Sequence, residues 1–207
     1  MKSDQGNAKR GSMVICNGPR KAGTNALRYV VRELGFSFVP GGIISGRYYR
    51  QSVDQKKHNG TPIEQMNVDG VIGSHSPHID TDHKVITILR DPRNIAVSAY
   101  WTRFKDLWIE ATDFNGYIND TMKQFVAITK PYFNAEGCVV WYERLFDRET
   151  VKKISQYLEV APKQVSSAWG KSGTWTGNPS NWKQWFNSDT EERLKQSFGR
   201  TVNEIFW

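Results

Sequence analysis

The 207-residue sequence lacks three features that would each define a class of protein. No apolar run approaches the ~20 residues that a membrane-spanning helix needs, so we expect no membrane segment. Residues 1–12 are polar and contain no apolar core, which argues against a signal peptide and predicts a flexible tail. Only two cysteines occur, Cys16 and Cys138, each within an apolar run. The expected state is two buried free thiols, which favours a cytoplasmic location.

Signatures of nucleic-acid recognition and of zinc binding are also missing. There is no aromatic-rich RNA-binding signature, no zinc-finger spacing and no basic zipper, so we expect no nucleic-acid partner. His75, His78 and His83 lie close together and raise a metal site as an alternative. Their H-x2-H-x4-H spacing follows no common zinc pattern and includes no cysteine. We therefore keep a metal site as a minor alternative.

The composition is that of a globular protein with a basic surface. Apolar residues make up 38% of the chain, charged residues 24%, and the net charge is +7. The length suits one domain, which we place at residues 13–207. A basic balance is compatible with an ordinary solvated surface or with an anionic ligand. The sequence makes no prediction about oligomeric state.

Buried-strand patterns alternate with amphipathic helices along most of the chain. This alternation predicts an α/β protein with three α/β/α layers and a central parallel sheet. Strands are predicted at 13–17, 36–40, 70–74, 84–90 and 137–143, and loops with at most one short element at 41–68. One helix is predicted after the loop that follows the first strand, with Leu27, Val30, Val31 and Leu34 on one face and Gly35 at its end. Further helices are predicted at 91–104, about 114–130, 148–158 and 162–169. A capping box at Ser188–Glu191 predicts a last helix that buries Leu194, Phe198, Val202 and Ile205.

The stretch between the first strand and the first helix, "GPRKAGT", resembles a nucleotide-binding P-loop. Gly18 and Gly23 have the separation found in GxxxxGK(S/T), but Thr24 stands where the lysine should be. The lysine of this stretch is Lys21, inside the loop. A strand, a glycine turn and a helix N-terminus form an anion site, to which Thr24 and Asn25 add side-chain donors. An ordinary turn with surface charges is the alternative.

Four further segments carry residues suited to anion binding or catalysis. Arg90 ends a predicted strand, and Ser98 lies two turns into the following helix. The dipeptide Tyr142-Glu143 ends another strand, and "GNPSNWKQWF" (177–186) is a loop rich in aromatic residues. In "GSHSP", His75 follows an apolar strand, and its ordinary pKa near 6.5 suits proton removal.

Together these segments resemble, in the right order over residues 13–186, the sulfotransferases that use 3′-phosphoadenosine 5′-phosphosulfate (PAPS). "PRKAGT" is similar to the family's PKSGT-type loop, with Lys21 on the motif lysine. Arg90 and Ser98 match its R-x7-S segment for the 3′-phosphate, and Tyr142-Glu143 matches its YED-type strand end. Gly177 begins a partial match to the G-x-x-G-D-W-K-x-x-F loop. His75 matches the histidine of a Lys-Thr-His-x-Pro-like segment.

The resemblance implies a P-loop-like fold and transfer of a sulfuryl group from PAPS to a hydroxyl or amine. The acceptor would be a small molecule or a glycan, and the product adenosine 3′,5′-bisphosphate (PAP). His75 would be the general base, and Lys21 would stabilise the departing phosphate without a metal. The implied donor-binding residues are Arg20, Lys21, Ala22, Gly23, Thr24, Asn25, Arg90, Ser98, Tyr142 and Gly177.

The sequence departs from the family pattern at three places. Ala26 stands where a tryptophan often packs on adenine, and Gly73 replaces the lysine two residues before the histidine. An Arg-Lys-Gly that commonly grips the 3′-phosphate reads Trp175-Thr176-Gly177. The 3′-phosphate therefore loses one cation unless Arg28, Arg93 or Lys171 replaces it. Residues 41–69 and 102–120 are predicted to shape the acceptor pocket, with Glu110 and Asp113 as alternative bases.

Two other functions remain alternatives. A P-loop nucleotide kinase is one, although the absent GK(S/T) lysine argues against it because that lysine reaches the far phosphates of a triphosphate. A non-catalytic protein that binds a nucleotide or polyanion is the other.

Overall fold

The computed structural model of the protein describes residues 13–45, 48–50, 70–79, 81–104, 112–165 and 181–207. The strands are β1 (Val14–Asn17), β2 (Phe38–Ser45), β3 (Tyr48–Arg50), β4 (Val71–Ser74), β5 (Lys84–Leu89) and β6 (Cys138–Trp141). The α-helices are α1 (Thr24–Glu33), α2 (Pro92–Phe104), α3 (Thr112–Thr129), α4 (Arg148–Leu158), α5 (Ser188–Phe198) and α6 (Arg200–Phe206). Short 3₁₀ helices cover Lys130–Asn134, Tyr142–Arg144 and Asn181–Gln184.

Within the described ranges, six strands form one sheet in the order β3-β2-β4-β1-β5-β6. The neighbours from β2 to β6 run parallel, and β3 pairs with β2 in the antiparallel direction at one edge. Asn17, the last residue of β1, pairs with Ser74 of β4 and Thr87 of β5. The chain therefore leaves β1, β4 and β5 at the same edge of the sheet.

Helices cover both faces of the sheet, as the alternating strand pattern predicts. On one face, α1 and α4 pack on alternate strand residues such as Cys16, Ile86 and Val140. On the other, Phe206 of α6 contacts Trp141 of β6, with ring centroids 5.3 Å apart. Helices α2, α3, α5 and α6 share a second buried cluster. The three-layer α/β/α prediction with a central parallel sheet is confirmed.

The first helix follows the sequence pattern closely. Leu27, Val30, Val31 and Leu34 are all buried against the sheet, because residues spaced three and four apart share one face of a helix. Gly35 then adopts a φ of +112°, a left-handed conformation that glycine enters without steric cost and that ends the helix.

The predicted second strand ends too early, whereas β3 agrees with the one short element allowed for in the stretch after it. Strand β2 continues to Ser45, and β3 falls inside 41–68. The Gly-rich composition of this stretch hid the strand. Pairing between β2 and β4 shifts between Phe38 and Ile43, so that the pattern of two-residue alternation is interrupted.

Two predictions for the C-terminal third are also wrong. Residues 162–165 are not helical. The last helix divides in two at Gly199, whose φ of 79° and ψ of −176° break the helical path. Its N-cap is Asn187, whose Oδ1 accepts from the Thr190 N–H at 2.8 Å, rather than Ser188. As a result Ile205, predicted to point inward, is 47% exposed.

The two cysteines confirm the sequence prediction. Cys16 and Cys138 are free and buried. Burial raises the pKa of both thiols, which keeps them protonated at neutral pH. Among the helices that the structure describes, none has both the length and the apolar content needed to cross a membrane.

Candidate active site

Three loops that carry predicted site residues leave the sheet at one edge. The loop from Gly18 to Gly23 follows β1, His75 follows β4, and Arg90 follows β5. Adjacent parallel strands end together there, as the register of Asn17 shows. In open parallel sheets, ligands bind beyond the carboxyl ends of the strands. The edge is therefore the candidate active site.

The loop after β1 is a tight turn with an unusual backbone. The Ala22 N–H donates to the Pro19 carbonyl at 3.0 Å, and both Lys21 and Gly23 have a positive φ, 71° and 104°. Glycine adopts this conformation readily, whereas for a residue with a Cβ the conformation costs roughly 1–2 kcal/mol of free energy. Lys21 is held there, so surrounding contacts must compensate.

The loop is packed so closely that its glycines cannot be replaced without rearrangement. A Cβ at Gly23 would overlap the ring of Tyr142, and one at Gly18 would lie 2.6 Å from the Ile88 carbonyl oxygen. Tyr142 opens the 3₁₀ helix after β6, so the end of a fourth strand supports the loop from the side. The Tyr142 ring therefore packs against the loop at Gly23.

The start of α1 presents unused hydrogen-bonding groups. Helix geometry leaves the first N–H groups of α1 without intrahelical acceptors. The Thr24 side chain is buried, and its Oγ1 has no hydrogen-bond partner among the described residues. Buried polar groups are nearly always paired in folded proteins. An orphaned hydroxyl at a helix N-terminus fits a bound anion.

Asn17 is a site candidate that the sequence reading missed. It is the last residue of β1, it is buried, and its Oδ1 has no hydrogen-bond partner within the described ranges. The sequence did contain a signal for Asn17, because it is a polar residue at the end of a four-residue buried strand and directly before the glycine turn.

His75 makes a hydrogen bond to the loop itself. Its Nδ1 lies 2.8 Å from the carbonyl oxygen of Gly18. A carbonyl only accepts, so Nδ1 carries the proton and the neutral ring keeps its lone pair on Nε2. Burial lowers the pKa of His75; the Gly18 bond opposes this, while the charges of Arg20 and Lys21 lower the pKa further. The imidazole is therefore neutral at pH 7.

The other histidines do not join His75. The part of the chain that the structure describes contains no group of three His, Cys, Asp or Glu side chains able to hold a metal ion. His78 is exposed, and its backbone carbonyl accepts from Ser76 Oγ at 2.9 Å. His75, His78 and His83 therefore do not form such a group in the described residues.

Arg90 faces the loop. Its Nη1 donates to the Lys21 carbonyl at 3.0 Å, and its guanidinium lies over the Tyr142 ring, 4.4 Å from the centroid. Its Nε has no partner among the described residues. Burial lowers the pKa of Arg90, and Tyr142, Glu143 and Asp91 counteract that effect. The neighbouring Asp91 does not pair with Arg90, since it binds Arg93 instead.

Arg93, one of the residues suggested as a replacement cation, is held by several contacts within the protein. It pairs with Asp91 at 2.8 Å and with Glu191 at 2.7 Å, and donates to the Phe206 carbonyl at 2.7 Å. Its guanidinium also lies over the rings of Trp182 and Trp207, 3.8 and 4.4 Å from the centroids. These contacts tie α2 to the C-terminal helices.

The remaining predicted residues differ in what they can offer. Ala22 is fully buried and can contribute only backbone groups, while Arg20 and Asn25 are exposed. Asn25 Oδ1 accepts from Arg28 Nη1 at 3.4 Å. Ser98 is partly exposed on α2. Gly177, Lys171, Trp108 and Glu110 lie outside the described residues. Most of residues 41–69 also lie outside them.

Comparison with known proteins places the fold. No protein-family model and no curated protein sequence matches the chain. Among solved structures, the chain is similar to the mouse sulfotransferase SULT7A1 complexed with PAP. The TM-score is 0.60 at 15% identity, over 96% of this chain and 89% of that one. The chain therefore has a sulfotransferase-like fold.

Proposed function

We propose that the protein is a PAPS-dependent sulfotransferase that acts on a hydroxyl or amine. The observation that carries the proposal is the hydrogen bond from His75 to Gly18. It fixes a neutral imidazole against the loop that bears Lys21, so that a base and a cation share one edge of the sheet. The likeness to a PAP-complexed sulfotransferase supports the proposal at the level of the fold.

The loop and the start of α1 would hold the 5′-phosphate of the donor. Backbone N–H groups of the first helical turn point outward there, and the Thr24 hydroxyl would gain the partner that it lacks within the protein. Gly18 and Gly23 let the backbone approach closely, while Lys21 supplies the positive charge. Arg20, Ala22 and Asn25 would complete the loop's contacts.

The 3′-phosphate and adenine would lie towards β5 and β6. Ser98 and the Arg90 N–H groups not bound to Lys21 would contact the 3′-phosphate. Tyr142, on which Arg90 lies, forms the wall beside Gly23. Gly177, which lies outside the described residues, keeps its predicted role in donor binding.

The chemistry needs one base and one stabilising cation. Nε2 of His75 would take the proton of the acceptor hydroxyl or amine as the acceptor atom bonds to sulfur. The bond between sulfur and the 5′-phosphate oxygen breaks, and that oxygen keeps the electron pair. Lys21, Thr24 and the backbone N–H groups would stabilise the new charge; one such contact is typically worth ~100- to 1,000-fold in kcat. We propose no metal in this reaction.

The acceptor class is a small molecule or a glycan, by resemblance to the family. The segments expected to shape its pocket lie largely outside the described residues. A cytoplasmic location is proposed from the two buried free thiols, which suit a reducing compartment.

Calorimetric titration of PAP and ATP, each with EDTA and with Mg²⁺, tests the donor assignment. We expect PAP to bind in EDTA, and Lys21→Ala to bind PAP less strongly than the exposed control Lys123→Ala. ATP that binds only with Mg²⁺, while PAP does not bind, would instead support the kinase alternative. Tight PAP binding with no transfer from PAPS would support a non-catalytic protein.

A further inference from the structure

The left-handed backbone of Lys21 requires an explanation within the protein. A φ of 71° at a residue with a side chain is unfavourable unless surrounding contacts hold it. Lys21 is also the residue whose ammonium must meet the leaving oxygen in the proposed reaction. The direction in which its side chain leaves the backbone depends on this φ, so whatever fixes φ also aims the lysine.

Arg90 holds one side of this conformation. Its Nη1 donates to the Lys21 carbonyl at 3.0 Å, across 69 residues of sequence. Fixing that carbonyl fixes the peptide between Lys21 and Ala22 and so restricts ψ of Lys21, which together with φ defines the left-handed conformation. Arg90 is only 9% exposed, so the donor of this hydrogen bond is largely removed from water, and hydrogen bonds are electrostatically stronger in such surroundings.

Tyr142 holds the other side. Its ring lies so close to Gly23 that a Cβ there would overlap it, and the same ring lies under the Arg90 guanidinium at 4.4 Å. One arginine–tyrosine stack therefore contacts the loop at residue 21 through a hydrogen bond and at residue 23 through packing. The two contacts therefore hold the turn at Lys21 itself and at Gly23, two residues further along.

We propose that Arg90 and Tyr142 are positioning residues that hold Lys21 in its left-handed conformation and so aim its ammonium at the leaving oxygen. The inference rests on the proposed function for the role of Lys21. It assigns Arg90 a task in addition to any contact with the 3′-phosphate. Arg90→Lys would not perform this task, because an ammonium lacks the planar fork that stacks on a ring while donating sideways.

The test compares Arg90→Met, Arg90→Lys, Tyr142→Leu and Tyr142→Phe with the wild type. A matched control exists on α1, where the Arg32 guanidinium lies 5.1 Å from the centroid of the Tyr29 ring. This stack does not involve the loop, so Arg32→Met removes a comparable contact elsewhere. For each variant, the φ of Lys21 is measured in a crystal structure without ligand. Affinities for adenosine 5′-phosphate and PAP, kcat and KM for PAPS are measured in solution.

We expect Arg90→Met and Tyr142→Leu to move Lys21 to a negative φ. Misplacing a catalytic group by about 1 Å typically costs ~100-fold, so kcat should fall by about that factor, with a smaller change in KM. Arg90→Lys should not restore kcat, and Tyr142→Phe, which keeps the ring, should lose less than Tyr142→Leu. The double variant Arg90→Met/Tyr142→Leu should lose no more kcat than either single variant, because each single change already removes the same arginine–tyrosine stack.

Adenosine 5′-phosphate separates positioning from a simple 3′-phosphate contact. A positioning role predicts that Arg90→Met weakens this nucleotide as well as PAP. If Arg90→Met weakens PAP alone and Lys21 keeps its positive φ, the inference is overturned. If Lys21 moves as expected but the wild type transfers nothing from PAPS, Arg90 and Tyr142 do hold the conformation of Lys21, and the proposed function is wrong.

Discussion

The Nδ1 atom of His75 lies 2.8 Å from the carbonyl oxygen of Gly18, although 57 residues separate them in the sequence. The bond joins the residue after β4 to the first residue of the loop after β1. It orients the imidazole and leaves Nε2 as the basic nitrogen. The proposed base is thus positioned by the same loop that carries the proposed leaving-group stabiliser.

Replacing His75 should remove transfer without removing nucleotide binding. We predict that His75→Ala keeps its fold and its PAP affinity, while kcat falls by at least ~100-fold, the lower end of the typical range for general-base catalysis. His78→Ala, an exposed histidine three residues away, is the control and should behave as wild type. Steady-state kinetics, PAP titration and circular dichroism measure the three properties. Retained activity in His75→Ala would move the base elsewhere, with Glu110 and Asp113 as the next candidates.

The lowered pKa of His75 predicts how activity and stability depend on pH. The folded pKa lies below the unfolded value of 6.5, chiefly because of burial. The acidic limb of the kcat/KM profile should therefore lie below pH 6.5. Between the two pKa values the unfolded chain binds more protons, so stability falls as the pH drops through that window.

Urea unfolding at several pH values between 7.5 and 5 checks the stability part of this prediction. The wild type should lose more stability on acidification than His75→Ala does, because the variant has no such group to protonate. Parallel stability curves for the two proteins, or an acidic kinetic limb above pH 6.5, would contradict the pKa direction.

Ser98 should discriminate between nucleotides. If its hydroxyl contacts the 3′-phosphate, Ser98→Ala should weaken PAP by about tenfold, the loss of a hydrogen bond to a charged group, and leave adenosine 5′-phosphate unchanged. Thr102, one turn further along α2, donates its hydroxyl to the Ser98 carbonyl, so Thr102→Ala removes a hydroxyl from the same helix as a control. Equal weakening of both nucleotides by Ser98→Ala would mean that the 3′-phosphate lies elsewhere.

Two glycine substitutions should have opposite effects on stability. Gly23→Ala adds a Cβ that overlaps Tyr142 at a φ of +104°, so it should destabilise the fold by ~1–3 kcal/mol and weaken PAP. Gly116 lies within α3, where an added Cβ meets nothing within 4 Å. Gly116→Ala should therefore stabilise the protein by up to ~1 kcal/mol. Thermal unfolding measures both; a stable Gly23→Ala that binds PAP normally would refute the packing described for the loop.

The architecture was readable from the sequence because it depends on local patterns. Helix α4 begins and ends at the predicted residues, and α1 buries its predicted face. Because parallel strands end at one edge of a sheet, the same patterns place His75 and the loop that carries Lys21 together. The sequence patterns did not predict the end of β2, where the pairing register shifts, or the division of the C-terminal helix at Gly199.

The partners of the site's charged groups could not be read from the sequence. Arg90 and Arg93 stand three residues apart, yet one faces the loop after β1 and the other lies between Trp182 and Trp207. The difference depends on contacts with β6 and α6, which are distant in sequence. The same holds for the contact between Gly23 and Tyr142, since it depends on packing of two loops from non-adjacent strands.

Transfer of a radiolabelled sulfuryl group from PAPS to pooled phenol, sugar and amine acceptors tests whether the protein is a PAPS-dependent sulfotransferase. The assay is run in EDTA with wild type, Lys21→Ala and the control Lys123→Ala. We predict labelled product with wild type and with the control, and a kcat at least ~100-fold lower with Lys21→Ala. Product formed equally fast by Lys21→Ala, or no product from any acceptor despite PAPS binding, would contradict it.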